Sequence, residues 1–399
     1  MLTLKKWKDE SGQALVMSAL CMACLFGFVA LATDVGVLLR EKRLAQIAAD
    51  AGAIAGAGEY NYGGAAAAAR AATLQNGFTN GSNGATVTVN SPPQSGPHTS
   101  ATPNGYVEVI VQQVQPALFR GYLGLGSITV AARAVAYANG ATNGCIYTLG
   151  NSGADLSMTG NANIQVTTCG LIDNSSSSNA LSLNGNVTLD AQSIGIVGGV
   201  SKNGNITLSP TPVTGVVPTS DPLAFLSAPT VPGTCNADPN LVGNVTQTLA
   251  AGCYSGITAN GNINLTLSSG LYIINGPLNL TGNVTLSGTG VTLDLLGGTS
   301  IPGNVGLNLT APTSGTYNGV IIFQPLTNTN ALQLTGNSGS TFEGIVYAPG
   351  AAVTLTGNSG STLYADFVSQ SLTLVGNASL NSYASINGNS VLSAVRLVE

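Results

Sequence analysis

From residue 145 onward a Gly-Asn pair recurs, each copy embedded in a short alternation of apolar and polar residues: MTGNANIQV, LNGNVTLD, KNGNITLS, ANGNINLTL, LTGNVTLSG. The glycines are Gly160, Gly185, Gly204, Gly243, Gly261, Gly282, Gly303, Gly336, Gly357, Gly376 and Gly388, most of them about twenty residues apart. A period of that length marks a solenoid. In each unit a Val-Thr-Leu type strand turns its apolar side chains inward and its hydroxyl outward. Gly and Asn accept the left-handed backbone of a tight corner, and Asn at equivalent corners can stack into a hydrogen-bonded ladder. A single unit cannot bury its apolar face alone, so many copies are needed. The pattern predicts a parallel β-helix over residues 141–399, with the Pro-rich stretch 211–240 looping out of the stack.

Composition narrows the function classes. Charged residues make up 7% of the 399, against about 25% in ordinary soluble proteins. Beyond Gly140 the only basic residues are Lys202 and Arg396. Nucleic-acid binding needs clustered Lys and Arg to displace counterions, so no nucleic-acid partner is expected.

Residues 14–33, ALVMSALCMACLFGFVALAT, carry no charge. Twenty helical residues span about 30 Å, the thickness of a hydrocarbon layer. Lys5, Lys6 and Lys8 precede the run, and Arg40, Lys42 and Arg43 come after it, so the positive-inside rule is nearly silent. The expected layout is a short cytoplasmic tail (1–13), a transmembrane helix (14–39), and a helix extension with a small pilin-like α+β segment (40–140). The β-helix (141–399) would then lie in the periplasm or outside the cell. A cleaved signal peptide is the alternative, with Ala30-Leu31-Ala32 as an A-x-A site before Thr33. The apolar run exceeds the usual h-region of roughly 7–15 residues, and the helical pattern continues past it, which favours a retained anchor.

Past the span, small residues recur at four-residue spacing: Ala45, Ala49, Ala53 and Ala57, with Gly52 and Gly56 alongside. Such a face lets another helix approach closely. It fits either an Ala-rich helix lying on its own domain or a packing face used in assembly. Downstream, strands are expected at Ala85–Val89, Tyr106–Val114 and Ile128–Tyr137, with a short helix near Phe119–Leu123.

These residues carry a family resemblance. The run from Glu10 to Ala57 resembles the N-terminal segment of TadG-like proteins of Tad (Flp) pilus assembly. The matching positions are Gly12, Asp34-Val35-Gly36, Arg43-Leu44-Ala45-Gln46 and Ala49-Asp50-Ala51-Gly52-Ala53. The strands YVEVIVQQV and ITVAARAVAY are also similar to the next segment of proteins in that family. The resemblance implies an anchored component of the bacterial inner membrane, N-terminus cytoplasmic, with other pilus-assembly or envelope proteins as partners. It assigns assembly packing to Gly12, Asp34, Gly36, Ala45, Ala49, Gly52, Ala53 and Gly56. Two departures matter. Met17, five residues after Gly12, stands where a processed prepilin has Glu. Asp173-Asn174-Ser175-Ser176-Ser177 spells the D-x-S-x-S metal motif of von Willebrand-type domains, but no α/β alternation comes after it, so a loop without metal is expected.

Of six cysteines, Cys21 and Cys24 lie inside the span. Cys145, Cys169, Cys235 and Cys253 read as disulfides of a secreted domain, with the sequential pairing preferred because each bridge closes a short loop. No zinc spacing and no G-x-S-x-G occurs. His98, in SGPHTS, is expected to be solvated. Asp190, Asp294, Glu343 and Asp366 are scattered and expected to be solvent charges that keep the solenoid soluble. The expected function is therefore non-catalytic and without cofactor: a structural or adhesive component of a Tad-like system, with a cell-surface or polysaccharide target. A standalone adhesin or envelope scaffold is the second reading. A carbohydrate-acting β-helix enzyme, which needs paired carboxylates and aromatics, is the third.

Overall fold

The computed structural model describes residues 11–60, 63–99, 105–139, 144–302, 304–336, 340–357, 362–383, 392 and 394–399. The basic tail before Ser11 and the corner glycines Gly303 and Gly388 lie outside the described residues. The chain divides into two compact units. One runs to Tyr60 and includes Gly64–Tyr137 and Val395–Glu399; the other holds Ala138–Ala394.

In the first unit the apolar span and its extension form one continuous helix, α1 (Ser11–Gly58), about 72 Å long at 1.5 Å per residue. A second helix, α2 (Ala65–Gln75), is mostly Ala, the strongest helix former. Three antiparallel strands come next: β1 (Ala85–Asn90), β2 (Tyr106–Gln115) and β3 (Ile128–Asn139). Val107, Val109 and Val111 of β2 are buried, as period-two alternation requires of a face covered by helices. The strand Ala394–Leu397 joins this sheet beside β3. The C-terminus therefore departs from the expected boundary: the main chain of Val135 exchanges hydrogen bonds with Val398 and Glu399.

The second unit is a parallel β-solenoid of about eleven turns. Corner glycines stack on one another, as in Gly243–Gly261–Gly282 and in Gly336–Gly357–Gly376–Gly160–Gly185–Gly204. Gly185 has φ +108°, and a Cβ there would sit 2.5 Å from the Gly160 carbonyl oxygen. Only glycine meets both demands. Beside the glycines run two Asn ladders. Asn186 donates to Asn161 (3.1 Å) and Asn161 to Asn377 (3.0 Å). Asn283 donates to Asn262 (3.0 Å) and Asn262 to Asn244 (2.8 Å).

The rungs do not stack in chain order. The chain enters mid-solenoid, where Gly144–Thr148 and Leu156–Gly160 pair with Thr362–Gly376. It builds outward through Asn163–Asp173 and Leu181–Ile196 to an end rung at Val200–Ser209. It restarts at the opposite end with Leu241–Leu249, and the rungs Ile257–Leu267, Leu278–Thr289, Gly306–Thr310 and Thr341–Gly357 lead back to the middle.

The Pro-rich segment connects the two ends, so it does not loop out. It is a strap along the solenoid's outer face. Val213–Thr214 pairs with Gly195–Ile196. Asn174 holds Thr219 through two hydrogen bonds of 2.7 and 2.9 Å. The Tyr317 hydroxyl donates to the Ser227 carbonyl at 2.7 Å, and Asn236 bridges to Tyr254. Between these points Leu223 and Leu226 are buried among Tyr147, Val320, Phe323, Ile345, Tyr347 and Val368. Each such leucine contributes about 1.5–3 kcal/mol of burial.

Candidate functional site: the membrane-proximal helix and its docking domain

Along its first half α1 leaves its large apolar side chains uncovered. Leu15, Leu20, Leu25, Phe26, Phe28, Val29 and Leu31 are all exposed, and this is the one helix among the described residues long and apolar enough to cross a membrane. Cys21 and Cys24 are exposed free thiols in the same stretch. The surface changes character at Asp34. Its carboxylate is buried and accepts the backbone N–H groups of Phe119 (3.2 Å) and Arg120 (2.7 Å). The expected short helix is a 3-10 turn, Arg120–Leu123, and it docks on the carboxylate that closes the apolar run.

Beyond Asp34 the small-residue face meets the chain's own domain. Ala45, Ala49 and Ala53 are fully buried. A Cβ on Gly52 would lie 2.9 Å from Thr73 Cγ2 and 3.2 Å from Val109 Cγ1. One on Gly56 would lie 2.9 Å from Val107 Cγ1 and 3.0 Å from the Ala65 carbonyl. The close approach is that of α2 and β2, within the chain, so this face is not open to a second chain. Gly36 has nothing within 4 Å of its Cβ position. Gly12 sits in the first turns of α1.

A network that sequence reasoning missed ties the C-terminus to the sheet. Glu108, fully buried, accepts from Arg133 Nε at 2.6 Å and from Asn90 Nδ2 at 2.7 Å. Arg133 also pairs with Glu399. Burial alone would raise the Glu108 carboxyl, but the hydrogen bonds from Asn90, Gln94 and Arg133 outweigh it and hold it below the usual range. His98 is not free in solvent: its ring stacks on Tyr106 (4.3 Å between centroids), which stacks on Tyr137 (4.2 Å).

In the solenoid Cys145 pairs with Cys169 and Cys235 with Cys253, with Cα–Cα distances of 5.7 and 4.7 Å. The second bridge fastens the far end of the strap. Asp173 accepts the Ser175 N–H at 2.9 Å within a buried turn, and the Ser175 hydroxyl donates to the Gly153 carbonyl. Those groups serve the turn itself. Two of the four acids expected at the surface are buried, Asp294 (1% exposed) and Asp366 (0%). Asp366 accepts from Ser382 Oγ and from the Tyr383 N–H, both at 3.1 Å. Burial pushes the Asp294 carboxyl up to about 7. Burial, then the charge of Asp173, pushes Asp155 up to about 6.

Residues 12–59 match the family model described as "Putative Flp pilus-assembly TadE/G-like". The N-terminal helix is TadE/G-like. The match begins two residues before the uncharged run and ends one residue past α1, so the TadE/G-like segment is the span together with the small-residue face on α2 and β2. The solenoid lies wholly outside it. Neither the curated proteins nor the solved structures contain a match to the chain. The TadE/G-like helix supports a Tad-associated role and fits a membrane-anchored protein.

Proposed function

We propose that this protein is a single-pass, non-catalytic component of a Tad-type pilus-assembly system. The TadE/G-like helix anchors it in the inner membrane with the N-terminus cytoplasmic, and the solenoid serves as a structural or adhesive surface outside the cytoplasm. The observation that carries the reading is the coincidence of the family match with an apolar helix exposed along its first half. Two disulfides favour an oxidising compartment for the solenoid. Other envelope or pilus-assembly proteins are the partners this reading expects.

A carbohydrate-acting enzyme finds less support. A raised carboxyl in a cleft can mark an acid catalyst, but Asp294 and Asp366 are buried out of reach of a polymer. Deleting the gene should remove or shorten surface pili and reduce attachment. Normal pili with normal attachment would overturn the pilus reading, and attachment lost with pili intact would favour a standalone adhesin. Turnover of polysaccharide by the purified protein, abolished by Asp294→Asn, would restore the enzymatic alternative.

A further inference from the structure

The connection between β2 and β3 presents an unusual surface for a loop in water. Leu118, Phe119, Tyr122 and Leu125 are 48, 46, 91 and 57% exposed within eight residues. A loop meant for solvent carries polar side chains, and contiguous exposed apolar patches mark interaction sites. The position of this loop says what covers it. Asp34 holds it through the N–H groups of Phe119 and Arg120, so it starts level with the end of the uncharged run. From there its side chains reach back along the span. Phe119, Tyr122 and Leu125 face Phe26, Ala30 and Leu31 across an apolar groove of about 540 Å³. Phe26 precedes Asp34 by eight residues, about 12 Å of helix. One wall of the groove is thus the lipid-facing surface of the helix itself.

We propose that residues 116–127 form a second membrane contact, inserted into the leaflet beside α1, with the groove filled by phospholipid acyl chains. This rests on the anchor reading. The chemistry fits the depth. Aromatic side chains favour the membrane–water boundary. The Asp34 carboxylate meets that boundary with backbone donors already in place, so it need not be hydrated. Arg120 beside it, with Arg40 and Arg43 on the next turns of α1, supplies cations at headgroup level. The contact also fixes the docking domain to the bilayer at two points, which a lone helix cannot do.

The test uses the full chain in vesicles containing lipids brominated on the acyl chain. Trp7 is the sole tryptophan, so Trp7→Phe gives a silent background. On it, Tyr122→Trp and Leu125→Trp report the loop and Leu25→Trp reports the span. Gln94→Trp reports an exposed position beyond the opposite end of β2. The loop tryptophans should be blue-shifted, quenched by brominated lipid and shielded from iodide, as Leu25→Trp is. If both are instead quenched by iodide as Gln94→Trp is, while Leu25→Trp remains lipid-quenched, the proposal is overturned and the anchor stands. Loss of lipid quenching at Leu25→Trp as well would sink the anchor reading and the proposal with it.

Discussion

The Tyr347 hydroxyl donates to Asp221 Oδ2 at 2.9 Å, joining a solenoid rung to the strap across 126 residues of sequence. Asp221 also accepts the Leu223 N–H at 2.8 Å, so one carboxylate fixes both the strap's turn and its place on the rung. Burial raises both groups, and the Asp221 charge raises Tyr347 further. Tyr347→Phe leaves a half-buried carboxylate short of a donor and should destabilise the solenoid by about 1–2 kcal/mol. Asp221→Asn should cost less in the Tyr347→Phe background than alone, because the shared bond is already gone. Chemical denaturation of the four proteins of this cycle measures it. Additive losses would mean that the bond does not hold the strap.

Asp294 gives the solenoid a pH dependence with a definite sign. Its folded pKa is about 7 because it is buried, whereas the unfolded value is about 3.9. The native state therefore binds more protons between those values, and stability falls as pH rises from about 4 to about 7. The full three-unit shift corresponds to about 4 kcal/mol; relaxation and water penetration reduce this to roughly 2 kcal/mol. Asp294→Asn should flatten that slope and stabilise the protein above pH 7, read from denaturation midpoints at pH 5 and pH 8. Equal slopes in parent and variant would show that the carboxyl titrates normally.

The small-residue face of α1 separates two kinds of glycine. Gly56 lies where any Cβ meets Val107 and the Ala65 backbone at 3.0 Å or less. Gly56→Leu should cost about 1–3 kcal/mol through overpacking. At Gly36, where nothing lies within 4 Å, Ala should be neutral or stabilising by up to about 1 kcal/mol. Thermal unfolding of the full chain in detergent distinguishes them. A tolerated Gly56→Leu would mean that α2 and β2 do not pack against this face.

Much of this architecture was legible in the sequence because periodicity reports which residues face inward. The Val-Thr-Leu alternation located the rungs, and the spacing of Ala49 and Ala53 located a packing face. The order of stacking was not legible. Each rung presents nearly the same Gly-Asn corner, so the repeat carries no address that says Gly160 belongs on Gly376. The strap hid for a related reason. Its prolines read correctly as an interruption, but its place on the outer face depends on Leu223 and Leu226 meeting side chains from distant rungs. Asp294 points outward from its strand, a position that ordinarily means solvent, yet it is buried. Around α1, the pairing of Asp34 with the Phe119 and Arg120 backbone uses N–H groups, which nearly every residue type has and no motif encodes.

The two end rungs explain how the solenoid stops. Leu334, Leu355, Leu374, Met158 and Leu183 stack as one inward-facing column, and the next position in it is Lys202. At the other end Leu307, Leu286 and Leu265 form a column whose terminal position is Gln247. An unpaired parallel strand is a template for another chain, and an inward-pointing polar residue blunts it, since stacking would bury an unpaired group. The two edges are otherwise matched, KNGNITLS against LVGNVTQT, Gly over Gly and Asn over Asn. Lys202→Leu with Gln247→Leu should therefore produce head-to-tail oligomers of the full chain in detergent, seen by light scattering as mass that grows with concentration. Adding Thr207→Pro on the Val200–Ser209 edge should abolish them. A double variant with the parent's mass at every concentration would show that the ends are blunted by something other than these two side chains.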